Sequence, residues 1–141
     1  IEAISSISAL GPSSKEVCAS YERAKPLFTV KDFNHFKNAY VSCLSEASRS
    51  VIEEIKSENK LYASLDDSVL FAIFSARTTL NQLNWKKDFG VNIGSSRGAT
   101  GLFEKYHEEF ITTGSTSALA SPTTTLGNIS SWVLQDQQSK Y

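Results

Sequence analysis

Residues 89–110 read FGVNIGSSRGATGLFEKYHEEF, and the fold class turns on how they are parsed. Phe89, Val91 and Ile93 alternate with Gly90 and Asn92, and Gly94 ends the run. Val and Ile suit a pleated, buried surface, so the spacing predicts a strand. Gly94 and Gly98 bracket Ser95, Ser96 and Arg97, which lets the backbone turn sharply or approach another group closely. Thr100 stands where a cap belongs, and Leu102, Phe103, Tyr106 and Phe110 follow at helical spacing. Strand, tight turn and helix together form the unit from which α/β sheets are built.

A turn that opens a helix invites a phosphate. The residues do not follow that pattern: there is no GKS or GKT for a P-loop, and no G-x-G-x-x-G. On their chemistry alone they make a plain strand-to-helix turn.

Upstream, residues 65–83 form the strongest helical signal. Val69, Leu70, Ala72, Ile73, Phe74, Ala76, Leu80 and Leu83 cover a wide arc, which predicts burial on more than one side. Ser64 or Asp66 would cap it. Residues 85–88, Trp-Lys-Lys-Asp, lead from there into the strand. Residues 45–60 predict a second helix with a narrow stripe of Val51, Ile52 and Ile55, and an Arg49–Glu53 pair one turn apart. Glu53 and Glu54 are sequence neighbours on a solvated face, not an acid–base pair.

At the start, residues 1–7 alternate Ile and Ala with Ser and read as a strand that leaves through Gly11-Pro12. Ser13 and Glu16 have capping-box spacing for a helix over residues 13–24, with Val17, Tyr21 and Ala24 toward the core. Residues 27–43 mix aromatics and charges without one period; Phe33, Phe36 and Tyr40 fit a short helical face capped by Asp32, as core or cover. Residues 112–125 are a Ser/Thr-rich loop, and residues 126–137 return to helix with Leu126, Ile129 and Val133 on one side. The order is thus β, α, irregular, α, α, β, α, loop, α. Two strands need others to pair with.

Composition narrows the function. The 141 residues are 40% hydrophobic and 21% charged, which excludes wholesale disorder. Fourteen basic and fifteen acidic residues give a net charge of -1, so nothing suggests a nucleic-acid groove or an anionic membrane. No run has transmembrane length and no signal peptide is visible, which points to the cytoplasm. Cys18 and Cys43 read as reduced packing residues. His35 and His107 lack partners at metal-ligand spacing, so no metal is expected. The chain starts at Ile1 and contains no methionine.

Three runs in this order resemble the N-terminal half of the β-ketoacyl-[acyl carrier protein] synthases: LDDSVLFA with Ala76-Arg77 (from Leu65), GVNIGSSRGAT (from Gly90) and SPTTTLGNI (from Ser121). Residues 1–11 are similar to that family's first strand, with Ser8-Ala9-Leu10-Gly11 where Ser-Pro-Leu-Gly is common. The match is good over residues 65–141 and fair over residues 1–21; residues 27–60 would be a helical insertion.

The resemblance implies a thiolase fold, in which two similar halves stack as α-β-α-β-α, with the present chain supplying an incomplete sheet. It also implies an acyltransferase that performs decarboxylative Claisen condensation for fatty acid, polyketide or aryl-polyene synthesis. No cofactor would bind directly, because the substrates ride on the phosphopantetheine of an acyl carrier protein. A homodimer or a heterodimer with a related subunit is the expected assembly. The family's nucleophilic Cys and catalytic His would lie beyond residue 141, leaving no catalytic residue in this segment. The resemblance places Gly94, Ser96, Arg97, Gly98, Thr123, Thr125 and Asn128 beside the acyl pocket or the dimer interface. Arg97 stands where an apolar gating residue is common, and Ala3, Ser5 and Ala9 replace two glycines and a proline. These departures suggest a divergent branch, or a non-catalytic partner resembling a chain-length factor.

Overall fold

Helix caps written into the sequence set most of the secondary structure. The computed structural model describes residues 1–83 and 89–138. Ser13 caps α1 (Ser14–Glu22) by accepting from the Glu16 amide, and its hydroxyl donates to the Glu16 carboxylate. Ser45 caps α2 (Glu46–Glu58) through the Ser48 amide. Asp66 caps α3 (Asp67–Leu80) through the Ser68 amide at 3.0 Å. The remaining helices are α4 (Thr100–Thr113), α5 (Ala120–Thr124) and α6 (Asn128–Gln138), with a 3-10 turn at Tyr62–Ser64.

The core lies where α2, α3 and α6 meet. Val69, Leu70 and Ile73 on α3 are fully buried against Ile52 and Ile55 of α2 and Ile129 and Val133 of α6. Ala72, Phe74 and Ala76 also pack on this cluster, so α3 is covered on more than one side, as its wide apolar arc requires. Each such buried aliphatic side chain is worth about 1.5–3 kcal/mol relative to exposure.

The molecule is mixed but mostly helical, and the one sheet among the described residues is not where the alternating patterns put it. β1 (Thr29–Lys31) and β2 (Ala39–Val41) form an antiparallel ribbon with Val30 opposite Tyr40. Residues 27–43 are therefore a hairpin, not the short helical face expected for Phe33, Phe36 and Tyr40. Asp32 caps no helix; it accepts from the Asn38 amide and the Lys37 ammonium. Phe33 and Phe36 exchange both backbone hydrogen bonds across Asn34-His35, one residue out of step with the β1–β2 register. Asn38 absorbs that extra residue at φ 54, a bulge conformation asparagine tolerates. The aromatics are neither core nor cover, because Phe28, Phe36 and Tyr40 are all exposed.

Residues 1–7 and 89–94 are not β-strands. Neither stretch forms backbone ladder bonds among the described residues; the nearest feature is an isolated Ser8–Gly11 bridge. The Ser5 hydroxyl bonds the Ser75 carbonyl and Thr79 instead, which holds the N-terminal segment on α3. Alternation marks a chain with one covered face, but a strand also needs a partner edge. The segment at residues 85–88 lies outside the described residues.

Smaller expectations also change. Tyr21 is 72% exposed, and Ala24 lies beyond α1 at φ 49, so only Val17 of that face is half-buried. Val51 and Leu126 are exposed. Arg49 and Glu53 form no ion pair. Cys18 is exposed rather than packed, Cys43 is half-buried, and both are free. No described helix is long and apolar enough to cross a membrane.

Candidate functional site

The glycine-serine turn and the threonine-rich segment, far apart in sequence, meet in space. Gly98 has φ +64, and a Cβ built on it would lie 3.2 Å from Leu126 Cδ2 and 3.9 Å from the Thr124 carbonyl oxygen. Glycine is needed twice over here, for the left-handed backbone and for the close approach. The Ser95 hydroxyl accepts from the Gly98 amide at 2.9 Å, which closes the turn on itself. Gly98 and Ala99 are buried, whereas Gly94, Ser96 and Arg97 face solvent.

The opposite wall is built from threonines and one amide. Asn128 is buried and donates through Nδ2 to the Thr123 carbonyl at 2.6 Å, tying the first turn of α6 back onto α5. Thr123 is buried, with its hydroxyl on the Leu119 carbonyl. Thr125 is exposed and extended, and forms the C-cap of α5. Of the seven residues singled out by the sequence, Gly98, Thr123 and Asn128 are enclosed in this junction. Gly94, Ser96, Arg97 and Thr125 are exposed.

Asp66 joins α3 to this junction. Its Oδ1 caps α3, while its Oδ2 accepts from the Leu102 amide at 3.1 Å in the first turn of α4. Thr100, the expected cap, is instead the first helical residue; the N-cap is Ala99, which has no side-chain acceptor. A carboxylate here also suits the positive ends of both helices. Ser68 donates to Asp66 and approaches the Gly98 carbonyl at 3.4 Å. The turn is thereby fixed to the helix that carries the fully buried Val69, Leu70 and Ile73.

Beside this junction, α3 floors a groove of ≈ 470 Å³ between two extended walls. Ala72, Ser75, Ala76 and Thr79 form the floor; Ser5 stands on one wall and residues 89–93 on the other. The small side chains permit close approach of another chain or an alkyl group to the helix.

A second polar centre was not anticipated from the sequence. Asp136, fully buried on α6, accepts from Arg77 of α3 and from the Tyr62 hydroxyl at 2.8 Å. Gln137 Nε2 donates to its other oxygen at 2.8 Å. Arg77 also grips Glu58 at the end of α2 through Nη1 at 2.8 Å and Nη2 at 2.7 Å. The hydrogen bond to Asp136, followed by that to Glu58, holds the guanidinium pKa above its ordinary value against the opposing effect of burial. Burial, then the bond to Asp136 and its charge, push the Tyr62 hydroxyl up to about 12. Trp132 packs edge-on to Tyr62, with ring centroids 6.2 Å apart. The polar groups are committed to one another, so the cluster works as a clamp on α2, α3 and α6.

The remaining reactive side chains lie on separate elements. Cys18 is on α1, Cys43 follows β2, His35 is at the ribbon tip, and His107 stacks on Phe103 of α4. No hydrogen bond joins a cysteine to a histidine among the described residues. No group of metal-ligating side chains occurs among them either. Arg97 forms no ion pair among the described residues.

No family model matches the chain, and no curated protein matches it.

Proposed function

We propose that this chain is the N-terminal, pocket-forming part of a β-ketoacyl-[acyl carrier protein] synthase of thiolase-like fold. The observation that carries this reading is the contact between the Gly98 turn and the Thr124–Leu126 strip. The resemblance puts these two motifs beside one acyl pocket, and in this chain they pack against each other. The extended segments along α3, unpaired among the described residues, also suit a sheet whose other strands come from elsewhere.

In this reading an acyl group arrives as a carrier-protein thioester and passes to a cysteine thiolate outside residues 1–141. Loss of CO2 from the malonyl thioester supplies the carbanion. It attacks the acyl carbonyl, forming the C–C bond as the C–S bond to cysteine breaks. The present residues shape rather than react. Asp66 and Ser68 fix the Gly98 turn, Asn128 fixes the facing strip, and Arg97 points its charge to solvent, away from an acyl chain it would otherwise burden. The partners are an acyl carrier protein and a second synthase subunit, identical or related, in the cytoplasm.

The test is a condensation assay on the polypeptide that bears this chain, with malonyl- and acyl-carrier proteins, reading CO2 release and the 3-oxoacyl product by mass spectrometry. Product formation that falls when Gly98→Val crowds the turn supports the enzyme. Acyl-carrier binding without condensation points to a non-catalytic partner subunit. Neither binding nor condensation by the folded protein removes both.

A further inference from the structure

The β1–β2 ribbon wears its apolar face outward. Residues 21–38 are exposed without a break. Val30 lies opposite Tyr40, and cross-strand partners share a face. Alternation adds Phe28 to that face and sends Lys31, Ala39 and Val41 to the other. There Ala39 and Val41 are half-buried, whereas Phe28, Val30 and Tyr40 are 66%, 53% and 78% exposed. Phe33 and Phe36, which flank the Asn34-His35 tip, are exposed as well.

Charge is uneven in the same place. Residues 21–41 hold four basic side chains, Arg23, Lys25, Lys31 and Lys37, and two carboxylates, Glu22 and Asp32. The remainder of the chain holds ten basic and thirteen acidic side chains. The net charge of -1 therefore joins a cationic arm to an acidic remainder. Lys37 meets Asp32 at 3.4 Å, but both side chains are exposed and solvent screens the pair. Arg23, Lys25 and Lys31 form no ion pair among the described residues.

Aromatic rings and lysines on one exposed ribbon fit the boundary between water and lipid. Tyrosine and other large rings rest at headgroup depth, and a lysine stem lies along apolar surface while its ammonium stays in water. The open edges of the two strands stay hydrated at that depth, which the hydrocarbon interior would not allow. We propose that the β1–β2 ribbon is a peripheral membrane contact, whose aromatic face enters the headgroup region of an anionic bilayer. The excess of basic side chains draws the ribbon in, and the acidic remainder of the chain is turned away by the same surface. An acidic protein would match the charge, but the aromatics run from Phe28 to the tip instead of gathering round one central anchor. This holds whether or not the chain belongs to a condensing enzyme.

The experiment uses the whole polypeptide that bears this chain. It is sedimented with vesicles of phosphatidylcholine alone, and of phosphatidylcholine mixed with phosphatidylglycerol, at low and high salt. The expected result is binding to the mixed vesicles that weakens with salt and is lost on the neutral ones. Phe36→Ser should weaken it by about tenfold, and Lys25→Glu with Lys31→Glu by about tenfold or more, each with unchanged circular dichroism. Hydroxyl-radical labelling is the second arm. Phe28, Phe36 and Tyr40 should be labelled in the free polypeptide and protected once mixed vesicles are added. No binding to mixed vesicles, or binding that survives Phe36→Ser undiminished, overturns the proposal. Rings already protected without lipid lie under another part of the polypeptide, which also overturns it. Protection by poly-glutamate but not by vesicles assigns the ribbon to an acidic protein instead.

Discussion

Arg77 Nη2 lies 2.6 Å from Asp136 Oδ1, and Arg77 Nε reaches the other carboxylate oxygen at 3.0 Å. This bidentate pair spans 59 residues of sequence and locks α3 to α6 at the side of the core. Its carboxylate is fully buried, while Glu58, the second partner of Arg77, is 47% exposed. The two acids should therefore behave differently on substitution.

Arg77→Leu strands a buried carboxylate and should cost about 3–5 kcal/mol. Replacing both Arg77 and Asp136 by leucine should recover much of that loss, because no buried charge is then left alone. Glu58→Gln should cost less than about 1 kcal/mol, since an exposed partner is largely screened. Urea unfolding midpoints, compared at equal m-values, check all three.

Tyr62 should titrate later than an ordinary tyrosine. Its hydroxyl is raised from 10.0 to about 12 in the folded chain. The folded state therefore keeps a proton that the unfolded state loses. The stability contributed by this group is complete below pH 10.0 and is lost as pH rises toward about 12. Tyrosinate absorbance against pH should show one delayed ionisation that Tyr62→Phe removes; an unchanged curve in the variant would count against the bond to Asp136.

Gly98→Ala should destabilise more than Gly114→Ala. Both glycines have positive φ, 64 and 73, and each alanine pays about 1–2 kcal/mol for a left-handed backbone. At Gly114 nothing lies within 4 Å of the added Cβ, whereas at Gly98 it meets Leu126 at 3.2 Å. Leu126→Ala in the Gly98→Ala background should relieve the excess and leave the backbone cost. Thermal unfolding of the three variants and the parent separates the two contributions.

Asp66→Ala should loosen two helix starts at once, at about 1 kcal/mol for the lost cap and more for the stranded Leu102 amide. Asp66→Asn keeps one acceptor and should fall between the two. Hydrogen exchange reads this directly: the Ser68 and Leu102 amides should both speed up in Asp66→Ala.

Asn38→Val should break the ribbon and Asn38→Gly should not. A β-branched side chain at φ 54 is strained, while glycine adopts it freely. The cross-strand contact of Val30 with Tyr40, read by nuclear Overhauser effects, is the reporter; its persistence in Asn38→Val would contradict the bulge.

Local chemistry was legible in the sequence because it depends on near neighbours. Ser13 announces the start of α1, and Ser64 or Asp66 that of α3; the Ser13 and Asp66 caps form. The wide apolar arc of α3 marked a helix covered on more than one side, and Gly98 marked a turn that needs glycine. What the sequence left open depends on partners distant in the chain. Alternation over residues 1–7 and 89–93 signalled extended backbone, but pairing is a property of two edges, and these edges meet no strand among the described residues. The aromatics of residues 28–40 carry no mark of exposure, because hydropathy does not say whether a neighbour arrives to cover them. Arg77 and Asp136 look like ordinary surface charges in sequence. Only the packing of α3 on α6 brings them together, where exclusion of water turns an unremarkable pair into a clamp.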